Sequence, residues 1–493
     1  MRLFRFILGK VLGGLTAAAT AVFVVGLLKM QVLPMKLVVL AGVVFLLLTV
    51  LVFVLTWTGR GKVRMTVGIV LAVLLIGVLT VGSVYAWQTV RALNKTAGDG
   101  TETVFIGFYM RDDDTRKFDE ASAGGYQYGI LQSIGREATD GAVQRLNERL
   151  KTEISCKEYK SAAELLNGLL DGQVDVMILD RSFLEILADL PSYGQKLSQI
   201  REEALERVQV QVDQPETENP KPENDPKPVS KGDPFIVYIS GIDTTGKVSV
   251  RSRSDVNILA VVNPNTKQIL LVSTPRDYFV PLSVSKGIPD KLTHAGNYGV
   301  NVSKDTMSML YDIDINYYFK VNFSGFKKVV DALGGVTVQS DYTFSTEMNG
   351  VYYSFKKGEN QLNGQEALVF CRVRKVFADG DHQRGKNQMA LIKGVINKAM
   401  SPALLTNYTQ ILKAIEGNVE MSIPTEVIGN LVELQLSDGG SWNVVSYSVS
   451  GTSGWEIPYS LGDYASVIYP DEKTVNRAKE MIQDVLDGKT VTP

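Results

Sequence analysis

The chain has 493 residues, a length that accommodates about three domains of ordinary size. Its 51 Lys and Arg residues against 53 Asp and Glu give a formal net charge of −2, so it lacks the basic excess typical of a nucleic-acid-binding protein. The apolar residues are concentrated in about the first ninety positions. That distribution excludes a purely cytosolic enzyme.

The N-terminal part contains three long apolar stretches without a charged residue. A helix needs about 20 apolar residues to cross the hydrocarbon core of a bilayer. The three stretches are Val11–Leu28 with 18 residues, Leu37–Gly59 with 23 and Met65–Val90 with 26. No small-residue cleavage site stands out after the first stretch, so we interpret all three as retained transmembrane helices of a membrane anchor at residues 1–95.

Basic residues beside these stretches predict the orientation of the anchor. Six of them flank one side of the membrane: Arg2, Arg5, Lys10, Arg60, Lys62 and Arg64. Four flank the other side: Lys29, Lys36, Arg91 and Lys95. Because short cytoplasmic loops carry the excess of Lys and Arg, the sequence predicts a multi-pass protein of the cell membrane with a cytoplasmic N-terminus. Three crossings then make the residues after about 95 extracellular.

Residues 101–210 have the pattern of a small extracellular α/β domain. TVFIGFYM predicts a strand, and SAAELLNGLLDGQVDVMILD predicts a capped helix, a Gly turn and a second strand. Asp112–Asp114 could bind a cation, but a solvated loop is favoured because no further ligand stands at a metal-site spacing. Residues 213–234 contain six prolines among polar residues, which is typical of an extended linker.

The α/β pattern returns in residues 235–493 and predicts the main domain. FIVYISGI, VNILAVVN and QILLVSTP are nearly all apolar, as expected for strands covered on both faces. VNFSGFKKVVDALGG, KNQMALIKGVINKAM and YPDEKTVNRAKEMIQDVLDG have helical patterns. The two cysteines, Cys156 and Cys371, fall in different predicted domains and are too few for a disulfide framework.

Several common catalytic motifs are absent from the sequence. It contains no Walker-type phosphate loop and no HExxH, GxSxG or CxxC pattern. His294 and His382 are the only histidines, so a catalytic zinc site or a histidine-based triad would be hard to assemble. For each histidine, a hydrogen-bonding role in a loop is favoured over a direct role.

The arginines of the main domain are concentrated at particular places. Residues 235–493 contain 18 lysines but seven arginines, and six of the seven lie in three short tracts. The tracts are RSRSD with Arg251 and Arg253, TPRD with Arg276, and CRVRK…DHQRGKNQ with Arg372, Arg374 and Arg384. A planar guanidinium binds two phosphate oxygens at once, which an ammonium cannot do. The tracts fall at the ends of predicted strands, and strand alternation in CRVRK would place its two arginines on one face, so we predict a polyanion site there.

Carboxylates accompany these arginines. Asp243 follows the strand FIVYISGI, Asp255 ends RSRSD and Asp277 is next to Arg276. A pair of carboxylates beside phosphate oxygens is the usual way to hold Mg²⁺. Simple salt bridges are the alternative, but the same combination in three tracts favours a phosphate site.

At these residues the sequence resembles the LytR–CpsA–Psr (LCP) family. GID, RSRSD, STPRDYFVPL, DKLTHAG, LNGQEALVFCRVRK and DGDHQRGKNQ follow the order and approximate spacing of the family's core motifs, from about Phe235 to Met400. Three N-terminal spans and an extra domain before the core resemble its streptococcal capsule members in particular. The resemblance implies an α/β fold: an LCP-type catalytic domain with a central mixed β-sheet flanked by helices, preceded by a smaller α/β accessory domain and three transmembrane helices.

The resemblance also implies an activity. Members of the family are membrane-anchored, Mg²⁺-dependent phosphotransferases that face the cell wall. This chain would accordingly be an enzyme that moves a capsular glycopolymer from an undecaprenyl-pyrophosphate carrier to peptidoglycan, and the same groups would also serve a pyrophosphatase. The implied partners are the polyprenyl-pyrophosphate glycan, peptidoglycan, the membrane and other capsule-assembly proteins, with no nucleic acid.

Site residues are carried over from the family by position. Asp243 and Asp255 would hold the metal. The implied catalytic residues are Arg253, Asp255, Arg276 and Asp277, the last by orienting Arg276 or by helping to activate the acceptor hydroxyl. The implied substrate-binding residues are Arg253, Arg276, Lys291, Arg372, Arg374, Arg384 and Gln388. Members often have Arg immediately before that Gln, where this chain has Asn387 with Lys386 nearby.

Two other functions stay open from the sequence. One is a membrane sensor or scaffold of capsule assembly, in which residues 101–210 bind a partner and the main site only holds polyprenyl phosphate. The other is a glycosyltransferase that uses Asp379–Gly380–Asp381 as a metal-binding DxD motif, which would leave the arginine tracts unexplained. The residues that line a lipid slot are not assigned, because VNILAVVN, TMSMLY and NQMALIKGVI fit a plain core equally well.

Overall fold

The computed structural model describes residues 2–57, 61–97, 100–211, 229–242, 246–378, 380–401 and 407–492. These residues form two compact units. The first unit contains the helices of residues 2–97 and two later segments, 407–416 and 423–441. The second unit contains the other described residues from 100 onward.

The first unit begins with three helices that are long and apolar enough to cross a membrane. They are α1 (Arg2–Met30), α2 (Met35–Trp57) and α3 (Lys62–Thr96). The three predicted apolar stretches lie in these helices, although the second stretch runs two residues past the end of α2. The hydroxyls of Thr20 and Thr49 lie 2.7 Å apart and form a hydrogen bond between α1 and α2. Such bonds satisfy polar groups that cannot reach water inside a bilayer.

The accessory part of the second unit is built on a five-stranded mixed sheet in the order β3-β2-β4-β1-β5. Its strands are β1 (Thr101–Arg111), β2 (Tyr128–Leu131), β3 (Cys156–Tyr159), β4 (Val176–Asp180) and β5 (Ile200–Gln211). Its helices are α4 (Arg136–Leu150), α5 (Ala162–Leu170), α6 (Arg181–Ala188) and α7 (Gly194–Leu197), with a 3₁₀ turn at Ala123–Gly125. Hydrophobic clusters cover both faces of the sheet. The strand and helix predictions for this region are confirmed.

Side-chain caps fix where two of these helices begin. The Ser161 hydroxyl accepts from the backbone N–H of Glu164 at 3.3 Å, and the Asp180 carboxylate accepts from the N–H of Ser182 at 2.9 Å. Asp180 is also the last residue of β4, so α6 starts where the strand ends.

In the acidic loop, Asp114 is paired with Arg116 at 2.6 Å. Among the described residues, no three or more His, Cys, Asp or Glu side chains form a group that could hold a metal ion.

The main domain is built on a six-stranded mixed sheet in the order β16-β11-β6-β7-β8-β17. Its strands and those of the neighbouring hairpins are β6 (Phe235–Ile242), β7 (Ser254–Asn263), β8 (Gln268–Thr274), β9 (Phe279–Pro281), β10 (Pro289–Lys291), β11 (Tyr317–Asn322), β12 (Val336–Ser340), β13 (Phe344–Met348), β14 (Val351–Phe355), β15 (Gly358–Leu362), β16 (Val419–Met421), β17 (Asn443–Ser448), β18 (Gly451–Glu456) and β19 (Ala465–Pro470). In the sheet, β11 runs parallel to β6 and β17 runs parallel to β8, whereas β7 is antiparallel to both of its neighbours.

The helices of this region follow the same chain order. They are α8 (Val300–Tyr311), α9 (Phe323–Ala332), α10 (Gly364–Arg372), α11 (Gly380–Ala399), α12 (Tyr408–Ile415), α13 (Thr425–Asp438) and α14 (Glu472–Leu486), with a 3₁₀ helix at Leu292–Tyr298. A hydrophobic cluster buries one face of the sheet against α8 and α14. The predicted mixed α/β sheet flanked by helices is confirmed.

The prediction that CRVRK is a strand is wrong. Cys371 and Arg372 are the last residues of α10, and no regular element contains Val373 or Arg374. A capping box between Asn363 and Glu366 starts this helix, since each side chain bonds the other residue's backbone N–H. The apolar residues that follow then have helical spacing, so strand alternation does not apply to the two arginines.

The accessory part and the main sheet share a hydrophobic cluster. Leu461 and Ala465 of the main domain are buried in the same cluster as Leu165 of α5. Backbone bonds join the two regions, with Ala163 N–H donating to the Leu461 carbonyl at 3.1 Å. The predicted linker at 213–234 lies mostly outside the described residues, and the predicted domain boundaries stay a prediction.

A buried ionic group also joins the two parts. Glu102 of β1 accepts from Arg251 at 2.9 Å and from Lys320 of β11 at 2.6 Å. Burial alone would raise the pKa of Glu102, but the charges of Lys320 and Arg251 lower it below its usual value. The carboxylate is therefore charged and paired, and removal of Glu102 would leave Lys320 and Arg251 without this counterion.

Two segments from within the predicted 235–493 domain belong to the first unit. Glu416, which follows α12, forms an ion pair with Lys95 at the end of α3. In α13, a Cβ added to Gly429 would stand 2.6 Å from the carbonyl oxygen of Gln31. Glycine there allows the helix backbone to approach the turn between α1 and α2 closely.

Candidate active site: an arginine-lined cleft

The second unit contains a polar cleft with a volume of about 240 Å³. Eleven of the described residues line it: Asp189, Arg253, Asp255, Val256, Arg276, Phe323, Cys371, Arg372, Arg374, Arg384 and Gln388. Five of them are arginines from the three tracts that the sequence singled out. The tracts are far apart in the chain, and the fold brings them to one cleft.

Asp255 and Arg276 form the floor of the cleft from adjacent strands. Asp255 is the second residue of β7, and Arg276 follows the end of β8, its antiparallel neighbour. Arg276 Nη1 donates to Asp255 Oδ1 at 2.9 Å, and the Thr293 hydroxyl donates to the same oxygen at 3.4 Å. The carboxylate therefore holds one guanidinium in a fixed direction.

The 3₁₀ helix at Leu292–Tyr298 packs tightly against the start of β7. A Cβ added to Gly296 would lie 2.4 Å from the carbonyl oxygen of Ser252 and 2.7 Å from the backbone nitrogen of Ser254. Any other residue would push this segment outward, because real Cβ atoms do not approach backbone that closely. Gly296 thus sets the position of the backbone that carries Arg253 and Asp255.

Two helices supply the opposite wall. Arg372 ends α10, and its guanidinium carbon lies 4.4 Å from the centre of the Phe323 ring, within cation–π range. Arg384 and Gln388 lie one turn apart on α11, so both face the same side of that helix. Gln388 Nε2 donates to the Cys371 carbonyl at 3.4 Å, which holds α11 beside the end of α10.

Asn387 stands where members of the resembled family often carry Arg. It is buried, and its Nδ2 donates to the Phe370 carbonyl at 3.1 Å. Its Oδ1 accepts from Gln383 at 3.0 Å. Asn387 therefore supports the packing of α11 on α10, and it is not among the described residues that line the cleft.

Asp277 and Lys291 lie behind Arg276, outside the set of described residues that line the cleft. Asp277 Oδ2 is 3.4 Å from Arg276 Nε, and its Oδ1 is 3.5 Å from Lys291 Nζ. Burial alone would raise the pKa of Asp277, but the nearby charges of Arg276 and Lys291 lower it. Asp277 is therefore ionised at neutral pH, and its contacts match the predicted role of orienting Arg276.

The metal site that the resemblance implies can be assessed at one of its two ligands. Asp243 lies outside the described residues. Both described hydrogen bonds of Asp255 use Oδ1, so Oδ2 stays available at the cleft. One carboxylate beside a phosphate site fits Mg²⁺, which usually takes one or two carboxylates together with phosphate oxygens and water.

The two histidines occupy different surroundings. His294 is buried, with Nδ1 2.6 Å from Asp290 Oδ1 and 3.1 Å from the Ser460 hydroxyl, a structural network away from the cleft lining. His382 lines a small recess of about 20 Å³ beside Asp255 and Arg276. In the alternative DxD motif, Asp379 and the side chain of Asp381 lie outside the described residues.

Four of the described lining residues were not predicted from the sequence: Asp189, Val256, Phe323 and Cys371. Cys371 has its Sγ bonded to the Leu368 carbonyl, and burial raises the pKa of its thiol to about 12, so it stays protonated. Asp189 comes from the accessory part and forms an ion pair with Arg253. No local signal could have revealed Asp189, because it follows an ordinary amphipathic helix 64 residues before its partner.

The charge of the cleft defines what it can bind. Guanidinium groups stay protonated at any accessible pH, so five of them around one cleft create a strong positive potential. Asp189 and Asp255 offset only part of it. A ligand with several anionic oxygens, such as a diphosphate, would compensate the remaining charge through bidentate hydrogen bonds.

The comparisons with known proteins identify the family of the chain. The model of the LytR_cpsA_psr family matches residues 189–481, more than half of the chain, and the chain therefore belongs to this family. The chain is similar to a Bacillus licheniformis protein named polyisoprenyl-teichoic acid–peptidoglycan teichoic acid transferase TagU, with 38% identity over 196 residues. The match covers 40% of this chain and 62% of that relative's length.

Two further similarities cover more of the domain. A TagU of the same description from Enterococcus faecalis is 32% identical over 260 residues, which are 52% of this chain and 81% of that protein. The crystal structure of Bacillus subtilis TagV has 28% identity and a TM-score of 0.43, covering 53% of this chain and all of that one.

Proposed function

We propose that the protein is a phosphotransferase that moves a glycopolymer from a polyprenyl-pyrophosphate carrier to peptidoglycan. The observation that carries this proposal is the convergence of five arginines around the Asp255–Arg276 pair in one cleft. The names of the relatives support the kind of substrate and acceptor, because they describe transfer of a polyisoprenyl-linked polymer to peptidoglycan. Capsular polysaccharide is the proposed polymer, on the basis of the anchor and accessory domain.

The chemistry follows from the charge distribution. A hydroxyl oxygen of peptidoglycan attacks the glycan-linked phosphorus and forms a new P–O bond. The bond to the bridging oxygen of the pyrophosphate breaks, polyprenyl phosphate leaves and the acceptor proton passes to solvent or to a base. Charge spreads over the non-bridging oxygens in the transition state, and arginines fixed around them stabilise it without reorganising. Water as the acceptor would give pyrophosphatase activity.

Mg²⁺ belongs to the same proposal. Asp255 would hold it through the carboxylate oxygen that is not bonded to Arg276, with Asp243 as the second protein ligand. The ion would neutralise phosphate charge as a Lewis acid when bound. Its involvement would be supported by loss of transfer in a chelator and recovery on addition of Mg²⁺.

The membrane anchor fits a lipid-linked substrate. Three helices that can cross a bilayer confine the chain to the membrane in which a polyprenyl carrier resides. The proposed orientation has the N-terminus in the cytoplasm and the cleft on the outer side, where peptidoglycan is the acceptor. Other capsule-assembly proteins are proposed partners.

Transfer by the purified full-length protein tests the proposal. With Mg²⁺, an undecaprenyl-pyrophosphate saccharide and peptidoglycan, we expect a saccharide–peptidoglycan product and release of undecaprenyl phosphate. Arg276→Ala should lower the rate about 100-fold or more, the scale of losing one preorganised donor to a developing charge. Arg477→Ala is the matched control, because this arginine lies outside the tracts on α14 and pairs only with Glu480 among the described residues.

The same experiment distinguishes the enzyme from the membrane sensor or scaffold. If Arg276→Ala transfers at the wild-type rate, the cleft is not the catalytic site. If the wild-type protein binds the lipid-linked saccharide but neither transfers nor hydrolyses it, the sensor or scaffold reading replaces the enzyme.

A further inference from the structure

The accessory part contributes one side chain to the arginine cleft. α6 begins at the end of β4, and Asp189 directly follows its last residue, Ala188. The Asp189 carboxylate accepts from Arg253 Nη1 and lines the cleft. Asp189 is 53% exposed and Arg253 is 14% exposed, so the pair lies where the cleft opens to solvent.

The bond leaves a particular edge of the Arg253 guanidinium open. A guanidinium can bind two oxygens side-on through Nε and Nη2 while Nη1 points the other way. Here Nη1 is bonded to Asp189, and Nε is buried without a hydrogen-bond partner among the described residues. A buried N–H of a charged group without a partner is costly, so it indicates a missing acceptor.

Both ends of the pair are held by the surrounding structure. On the main-domain side, Thr103 of β1 exchanges backbone hydrogen bonds with Ser249 at 2.8 Å and Arg251 at 3.0 Å, just before Arg253. On the accessory side, the ring of Phe183 in α6 meets that of Tyr298 edge-on at 5.9 Å. Asp189 therefore meets Arg253 from a fixed direction.

We propose that Asp189 is a positioning residue that turns Arg253 so that its Nε–Nη2 edge faces the bound diphosphate. The inference rests on the proposed function and deepens it, because it assigns the accessory domain a direct part in building the substrate site. Phosphate oxygens of the carrier would be the acceptors that Nε lacks. Asp189 itself touches Arg253 and acts on the substrate through it.

Electrostatics alone predicts the opposite effect of removing Asp189. A carboxylate beside an anion site repels the anion. If this repulsion were the only effect of Asp189, its removal would strengthen diphosphate binding. Loss of orientation weakens binding instead, because the freed arginine must be ordered again when the ligand binds. The sign of the change therefore distinguishes positioning from competition.

The experiment uses the full-length protein in detergent with farnesyl diphosphate as the binding probe and the saccharide-transfer assay for kinetics. Asp189→Ala should raise the Kd for farnesyl diphosphate and the KM for the lipid-linked donor about fivefold, the upper range for a half-exposed ion pair, with kcat within about twofold. Asp189→Asn should recover part of the loss, because the amide oxygen still accepts from Nη1.

Asp140→Ala is the matched control. Asp140 is 54% exposed and pairs with Arg136 at 2.9 Å in the same accessory part, far in sequence from the cleft residues. Asp140→Ala should leave both the Kd and the KM unchanged. If the constants rose because the accessory part was generally disturbed, the rise would appear in both variants. In an Arg253→Ala background, Asp189→Ala should have no further effect, because positioning requires the arginine.

Other results separate this inference from the function on which it rests. Unchanged or tighter binding in Asp189→Ala would overturn the positioning role while leaving the phosphotransferase intact. An additive loss in the double variant would overturn it as well. Wild-type binding and transfer in Arg253→Ala alone would instead remove Arg253 from the proposed active site.

Discussion

At the residue scale, the sequence predicted which arginines lie together better than it predicted how they are arranged. The scarcity of arginine in the main domain pointed to six side chains in three tracts, and five of them line one cleft. Lys291 and Asp277 were grouped with them but are not among the described residues that line the cleft: Asp277 contacts Arg276, and Lys291 contacts Asp277. Asp189 was missed because sequence patterns report local structure, whereas its ion pair with Arg253 depends on packing between distant segments.

Asp180 gives a prediction about pH, because burial raises its pKa to about 6. The folded state binds the proton of the Asp180 carboxyl more tightly than the unfolded state. The protonated carboxyl therefore contributes its full stabilisation of the folded state below about pH 4, and this contribution is lost as the pH rises through about 6. Above that pH the buried charge costs up to about 3 kcal/mol. Asp180→Asn keeps the helix cap without the charge. We expect its thermal unfolding midpoint to exceed that of wild type by several degrees at pH 7.5, and the gap to close near pH 4.

Asp471→Asn is the control for this prediction. Asp471 caps α14 by accepting from the N–H of Lys473 at 3.0 Å, but it is only partly buried. Its replacement should therefore change the midpoint much less than Asp180→Asn does at pH 7.5. Equal midpoints of Asp180→Asn and wild type at pH 7.5 would show that the buried carboxylate is not a destabilising charge.

At the element scale, the predictions that rested on continuous apolar runs are confirmed, and the one that rested on a short alternation is wrong. β6, β7 and β8 follow the apolar runs because both faces of the sheet are covered. The alternating pattern of CRVRK covers only five residues and begins inside the helix that the Asn363–Glu366 capping box starts. That helix, α10, continues to Arg372, so the pattern does not form a strand. The cleft is formed where strand ends meet the ends of two helices.

Gly296→Ala tests how tightly one of these elements positions the site. The new methyl would meet the backbone of Ser252 and Ser254 at 2.4 and 2.7 Å, so the entry to β7 must move. We expect transfer to fall at least tenfold and stability to fall by about 1–3 kcal/mol, measured by transfer rate and thermal unfolding. Gly194→Ala in α7 is the control, because nothing lies within 4 Å of its added Cβ. A wild-type rate for Gly296→Ala would mean that the contact does not position the cleft.

At the scale of the whole molecule, the described residues form two compact units, and the predicted boundaries of anchor, accessory domain, linker and main domain stay a prediction. The accessory part shares a hydrophobic cluster and the buried Glu102 ion pairs with the main domain. Deleting residues 101–210 would expose that cluster, so point variants such as Asp189→Ala test the role of this part more cleanly. The association of 407–416 and 423–441 with the anchor helices is equally non-local and had no sequence signal.

The most direct test of the central claim is an experimental structure of the full-length protein with an undecaprenyl-pyrophosphate saccharide bound. We expect the two phosphates to lie in the cleft within hydrogen-bond distance of Arg253, Arg276 and Arg384, with Asp189 still bonded to Nη1 of Arg253. A diphosphate bound elsewhere, with these guanidinium groups contacting no phosphate oxygen, would contradict it.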